Sequence, residues 1–345
     1  MAGKVMKLNS VKVRIQYVIL NKKILFEVTI MIKKLSLLLL VAMLAVVAVA
    51  CGSDKEKEES SAKKENAKSE EITVKHQLGE TKVKTNPEKV VVFDMGALDT
   101  LDKLGVEVAA VPHDGLPKYL SKYKGTTENA GGLKEPDFEK INEIAPDLIL
   151  ISGRQSEAYE ELSKIAPTVF VGVDTTKYME SFEENVTLLG KIFDKKDEAA
   201  KELASVEENI NALKEKAPTD KTGLIVLSSG GKVSAYGPDS RFGIIHDVFG
   251  VPAVDDKLEV STHGQSISFE YIAEKNPDYL FVVDRDAVAG DGARAKETVE
   301  NDIVKNTKAF KEGNIIYLDP NYWYLSGGGL ESVDAMVKEI SEGIK

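Results

Sequence analysis

Arginine is scarce in this chain. Of 345 residues 45 are basic, yet the arginines are only Arg14, Arg154, Arg241, Arg285 and Arg294. Where lysine is the default cation, each planar guanidinium invites the question of what it grips, because its fork suits bidentate anion recognition and lysine is a point charge. Two of these arginines end the two copies of an internal repeat. Residues 137–154 read DFEKINEIAPDLILISGR and residues 268–285 read SFEYIAEKNPDYLFVVDR; at a constant offset of 131, seven of eighteen positions are identical. Each copy reads as a short helix, a Pro-Asp turn, a buried strand and an arginine at the strand's C-terminal end. A third arginine, Arg241, follows the turn Gly237-Pro238-Asp239-Ser240, ahead of a helix predicted to begin near Phe242. Ligands of open α/β sheets bind beyond the C-terminal strand ends, so two facing lobes could aim three guanidiniums into one cleft. The competing reading of any one of them is ordinary pairing with a local carboxylate, and Arg285 has Asp284 and Asp286 beside it.

Other residues could line such a cleft. His263 lies in the loop Ser261-Thr262-His263-Gly264. Tyr322, Trp323 and Tyr324 follow a predicted strand at 315–318 and precede Gly327-Gly328-Gly329. Aromatic side chains on a loop at a strand end make good walls for a planar ligand, although the same pattern also packs domain edges. A glycine run before a helix can cradle phosphate, but no lysine follows it as in a P-loop.

The elements that must position these residues are of the α/β type. Short apolar runs at 90–93, 148–151, 169–171, 224–227, 279–283 and 315–318 read as buried strands, with amphipathic stretches between them. A single repeat so far apart points to two similar Rossmann-like lobes with largely parallel sheets, not a solenoid. Between them residues 178–217 are strongly helix-forming. From Lys195 to Lys216 there is no Gly or Pro, and Ala199, Leu203, Val206, Ile210 and Leu213 keep a helical spacing. The expectation is an N-terminal lobe over 72–177, a connecting helical segment over 178–217 that holds one long rigid helix, and a C-terminal lobe over 218–345.

The front of the chain has a different character. Met31-Ile-Lys-Lys, an uncharged stretch at 35–50 and Cys51 describe a secretory signal cut before a cysteine, with Ala48-Val49-Ala50-Cys51 resembling a lipoprotein cleavage box. The uncharged stretch is short for a spanning helix. Residues 1–30 read as an upstream extension, 31–50 as the signal peptide and 51–71 as a lipidated Cys51 on a tether rich in Lys, Glu, Ser and Ala. The folded body is thereby expected outside the cytoplasm, anchored at the cell membrane.

Composition excludes several classes. The first 50 residues hold eight of the basic groups and one of the 56 acidic ones, which leaves 37 against 55 over residues 51–345, a net charge of −18. A body this acidic argues against nucleic-acid binding. One cysteine rules out an intrachain disulfide, and four histidines at 76, 113, 246 and 263 have no metal-ligand spacing. No GxSxG elbow, HExxH or P-loop is present, so an extracellular hydrolase is the weaker alternative. A binder of bare metal ions would want converging His and carboxylates, whereas arginines repel a free cation.

The stretches KVVVFDMGALDTLDKLG (89–105), GGLKEPDFEKI (131–141), APDLILISGRQSE (145–157), KVSAYGPDSRFGIIHDVFG (232–250), STHGQSISFEYI (261–272), NPDYLFVVDR (276–285) and YLDPNYWYLSGGGLES (317–332) carry a resemblance. The chain resembles the iron-siderophore-binding lipoproteins of ABC importers, and within them the petrobactin-type catecholate binders. The resemblance implies a two-lobed protein with no enzymatic activity and no permanent cofactor, whose ligand is an Fe(III)-siderophore complex. It implies that Arg154, Arg241 and Arg285 hold the anionic complex; Tyr322 and Trp323, from their place on the loop, are the further candidate ligand-binding residues. It implies that His263 and Tyr324 ligate iron directly when a tetradentate siderophore leaves sites open. It also implies that Glu139 and Glu270, one per lobe, dock on a permease dimer served by its ATPase, with the binding protein itself a monomer. Haem or cobalamin binding in the same fold is the nearer alternative. Three arginines match the three negative charges of a ferric tris-catecholate better than either.

Overall fold

The structure, a computed structural model, describes residues 70–290 and 294–344. The expected upstream extension, signal segment, Cys51 and all but the last two tether residues lie outside them. Among the described residues no helix is long and apolar enough to cross a membrane.

An antiparallel hairpin, β1 (Glu71–His76) and β2 (Gly79–Lys84), precedes the first lobe. That lobe holds β3 (Val90–Val92), β4 (Ala110–Val111), β5 (Glu128–Asn129), β6 (Leu148–Ile151) and β7 (Thr168–Phe170) in the spatial order β5-β4-β3-β6-β7, all parallel. The second holds β8 (Gly223–Ser229), β9 (Lys232–Tyr236), β10 (Gln265–Ile267), β11 (Tyr279–Asp284) and β12 (Ile315–Leu318) in the order β10-β9-β8-β11-β12.

The continuous apolar runs follow from burial on both faces of each sheet. In β6, Leu148 and Leu150 enter one core while Ile149 and Ile151 enter the other. In β11, Tyr279, Phe281 and Val283 face one side and Leu280 and Val282 the opposite one. The second sheet is mixed, because β9 runs antiparallel to β8 and to β10. The reason is local. Gly230 and Gly231, with φ of 57° and 75°, form a two-residue turn of the kind that closes a hairpin, so β8 folds straight back into β9.

The helices that matter for the site are α1 (Met95–Lys103), α2 (Phe138–Ile144), α3 (Tyr178–Ile192), α4 (Lys196–Lys216), α5 (Phe269–Lys275) and α6 (Leu330–Gly343). The expected long connecting helix is α4; within the connecting segment 178–217 it is preceded by α3, which packs against it. The chain turns at Phe193–Lys195, where Asp194 takes the left-handed conformation with φ of 54°. No Gly or Pro marks that corner, and aspartate is among the few other residues that visit this region readily. Tyr178, Phe182 and Val186 of α3 and the apolar stripe of α4 join a core beneath the second sheet, while Leu189 and Ile192 join the first lobe's core. The helical hairpin thus ties the two cores together.

Candidate functional site

Three guanidiniums meet at one tyrosine. Arg154 from the first lobe donates to the Tyr324 carbonyl at 2.6 Å and to the Leu325 carbonyl at 3.2 Å. Arg241 from the second lobe donates to the same Tyr324 carbonyl and lies 4.4 Å from the centre of its ring. Arg285 donates through Nε to the Tyr324 hydroxyl at 3.3 Å. Arg154 also approaches the ring, at 6.0 Å. The sequence-predicted triad is therefore brought together, with Tyr324 at its centre.

The internal repeat explains how two of these arginines are aimed. Helices α2 and α5 begin and end at positions 131 apart. Asp137 caps α2 by accepting from the Lys140 amide, and Ser268 caps α5 by accepting from the Tyr271 amide. Both helices end on a left-handed residue, Ala145 with φ of 49° and Asn276 with φ of 45°. The aspartate of each Pro-Asp turn then ties the next strand to its neighbour. Asp147 accepts from the Glu88 and Lys89 amides just before β3, and Asp278 from the Thr222 amide just before β8. Arg154 and Arg285 leave the far ends of β6 and β11, at the sheet edge where α/β ligand sites form. Arg241 is held differently: Asp247 accepts from the Asp239 amide at 2.8 Å and fixes the turn ahead of it.

Tyr324 sits in a π-helical turn, Asn321–Ser326, that ends at Gly327. The terminal carbonyls of such a turn lack intrahelical partners, and those of Tyr324 and Leu325 are taken by the arginines. Burial pushes the Tyr324 phenol up, but donation from Arg285 and the positive fields of Arg241, Arg285 and Arg154 outweigh it and hold it below the ordinary phenol value. Burial, and next the charge of Arg241, lower Arg154, yet a guanidinium stays charged throughout the accessible range. Arg285 is raised, chiefly by its bond to Tyr324. The site is thus a set of three cations around one ionisable oxygen, an arrangement that can receive a multiply charged oxyanion.

Local pairing accounts for only part of this. Arg285 also reaches Asp286 at 3.4 Å and Ser229 at 3.2 Å, whereas Asp284 turns away to cap the Ala287 and Ala295 amides. Neither Arg154 nor Arg241 hydrogen-bonds a carboxylate among the described residues.

Other predicted residues fall elsewhere. Trp323 does not line the cleft: it is 2% exposed, joins the second lobe's core and donates its indole N–H to Glu339 at 2.6 Å. One face of the π-turn must be buried to anchor the segment, and Trp323 occupies it. Tyr322 is half-buried, its ring 4.7 Å from that of Tyr119, and both line a cavity of about 300 Å³ that includes Lys118 of the first lobe and Val288 of the second. His263 is exposed on the Ser261–Gly264 turn, with no hydrogen bond to Tyr324 or to the arginines. Glu139 and Glu270 are both exposed in the first turns of α2 and α5. The glycine run binds no phosphate-like group, because Asp99, Thr100 and Ser332 already accept its amides and those of the α6 N-terminus.

Asp99 and Tyr119 were missed by sequence reasoning. The signal for Asp99 is its place on the buried stripe of α1 beside Met95 and Leu98, where a carboxylate is out of character. Tyr119 lies in a short turn with no periodicity to mark it.

Comparison with known proteins identifies the family. The sequence profile of the family described as periplasmic binding protein matches residues 90–322. The petrobactin-binding protein YclQ of Bacillus subtilis is 54% identical over 319 residues, covering 91% of this chain and 99% of its own. The crystal structure of YclQ superposes with a TM-score of 0.78 at 56% identity over 79% of this chain and 98% of that one. The periplasmic catecholate-siderophore binding protein VctP of Vibrio cholerae gives a TM-score of 0.75 at 40% identity, covering 79% of this chain and all of VctP. Two mixed α/β lobes, a helical connector and a matched profile over most of its length together place this chain in the periplasmic binding protein family.

Proposed function

We propose that this protein is the extracytoplasmic binding component of an ABC importer, capturing a ferric catecholate siderophore of the petrobactin class between its lobes. The convergence of Arg154, Arg241 and Arg285 on Tyr324 carries this reading. Three dianionic catecholates around one ferric ion leave a trianion, and three guanidiniums that cannot lose their charge complement it. The relationship to YclQ, a petrobactin-binding protein, supports the same ligand class. The protein binds and delivers without chemistry of its own, and no cofactor resides in it.

Tyr324 carries a second role. A hexadentate siderophore saturates Fe(III), but a tetradentate bis-catecholate leaves two of six sites open. The arginine fields that favour the Tyr324 phenolate prepare an oxygen ligand for one of them, and His263, on its exposed turn, supplies a neutral imidazole for the other. Titration of wild type and the H263A/Y324F double variant with one ligand of each denticity tests this. A loss confined to the tetradentate ligand is expected; equal losses, or none, remove direct iron ligation.

Glu139 and Glu270 occupy equivalent exposed positions on the two lobes, suited to the two-fold-related arginines of a permease dimer. Reversing both to Arg should abolish uptake and leave siderophore affinity unchanged; normal transport by that variant excludes the docking role. Lipidation at Cys51 completes the reading. Mass spectrometry should find the mature chain beginning at a lipidated Cys51, and residues 31–50 on the mature protein would contradict it.

A further inference from the structure

Asp99 has no exposed surface and lies at the seam between the lobes. From α1 of the first lobe it accepts the amides of Glu331 and Ser332, at 3.3 and 3.1 Å, which open α6 of the second. It also accepts the Tyr119 hydroxyl at 3.0 Å, and that hydroxyl is 2.6 Å from Ser326 Oγ. Thr100 accepts the Leu330 amide, Tyr178 donates to the Gly327 carbonyl, and the Lys118 amide donates to Asn321. Gly96 allows the closeness: a Cβ there would lie 2.7 Å from the Gly328 carbonyl carbon. Groups of the first lobe, with Tyr178 of the connector, therefore grip the segment on either side of Tyr324.

We propose that Asp99 is a positioning residue of the binding cleft: by capping α6 across the lobe seam, it fixes the 321–329 segment, and with it Tyr324, against the three arginines. Two carboxylate oxygens serve three donors there. An amide offers one acceptor oxygen and turns an N–H toward the helix amides, so Asn is a poor replacement. The charge is also suited to a helix N-terminus. Burial nonetheless pushes the Asp99 carboxyl up to about 7, against the hydrogen bonds from Ser332, Tyr119 and Glu331. A buried acid of this kind, set apart from the arginines themselves, persists at a cost to the fold that its hold on the segment explains.

The test uses the full chain in detergent. Phenolate absorbance is titrated without ligand in wild type and D99N, each paired with the same protein carrying Tyr324→Phe, so that the Tyr324 signal is isolated. If Asp99 positions Tyr324, the titration in D99N moves upward by about one pH unit as the arginine fields weaken. An unchanged Tyr324 titration in folded D99N overturns the proposal. Should D99N fail to fold, Y119F, which removes only the hydroxyl between Asp99 and Ser326, is expected to move it in the same direction by less, and no movement there overturns it. The second readout rests on the function proposed above: affinity for ferric petrobactin should fall about tenfold in D99N. A shifted titration with unchanged affinity overturns the role in binding. A wild type that binds no ferric catecholate overturns the functional reading instead, and leaves the Tyr324 titration to decide this one.

Discussion

Arg154 and Arg241, one from each lobe, donate to the same carbonyl oxygen of Tyr324. Two like charges so placed repel, and the field of Arg241 contributes to lowering Arg154. A single neutral oxygen offsets that repulsion only in part. On the function proposed above, an anion in the cleft offsets it further, and charge is then the quantity that this site recognises.

Removing a cation should therefore cost affinity before it costs the fold. Each charge-assisted contact contributes roughly 1.5–3 kcal/mol. Arg241→Ala or Arg285→Ala should weaken ferric catecholate binding about ten- to a hundredfold, with an unchanged circular dichroism spectrum. Arg154→Ala should also lower thermal stability, because Arg154 ties the first lobe to the Tyr324 and Leu325 carbonyls. Equal stability of all three variants would contradict that distinction.

Asp99 sets a pH dependence of stability. Its carboxyl, raised to about 7 in the folded protein, titrates near 4 when unfolded. The folded state thus binds the proton more tightly: the stabilisation is complete below about pH 4 and is lost as pH rises through about 7. Groups that do not feel residue 99 cancel in a comparison with D99N. Relative to that variant, wild type should gain on the order of 2–3 kcal/mol between pH 8 and pH 5, read by urea unfolding. A constant difference across this range would place the Asp99 titration elsewhere.

What the sequence made legible follows from where its signals lie. Strands β6 and β11 are legible because burial on both faces writes an unbroken apolar run. Strands β4 and β5, two residues each, are too short to write any pattern. The β8–β9 hairpin has a readable mark in Gly230-Gly231. The corner between α3 and α4 had none, since Asp194 bends the chain without Gly or Pro. Arg154 and Arg285 were found through the repeat, and Arg241 through its turn. Trp323 was misplaced because alternation within a π-turn decides which aromatic faces the core, and loop sequence does not encode it.

Trp323→Phe tests that correction. Losing the indole N–H leaves the half-buried Glu339 carboxylate with the Asp319 amide but without its 2.6 Å donor, a cost of about 1 kcal/mol or more. Stability should fall accordingly, while siderophore affinity changes by less than about threefold. A large affinity loss at full stability would return Trp323 to the cleft wall.

Gly96→Ala tests the seam. The added methyl meets the Gly328–Gly329 backbone, which cannot yield as a flexible side chain could. Overpacking of this kind costs roughly 1–3 kcal/mol. Both stability and affinity should drop, since the same contact holds the lobes and the Tyr324 segment. Wild-type values for both would show that the lobes separate there freely.

The most direct test of the account is a paired titration of the wild-type protein, followed by intrinsic fluorescence, with an anionic ferric catecholate and with ferrioxamine, a hydroxamate complex without negative charge. If three guanidiniums set around Tyr324 select the ligand by charge, ferric petrobactin should bind at least about a hundredfold more tightly, a gap of about 2.7 kcal/mol. Comparable affinity for the two complexes would contradict charge recognition by Arg154, Arg241 and Arg285.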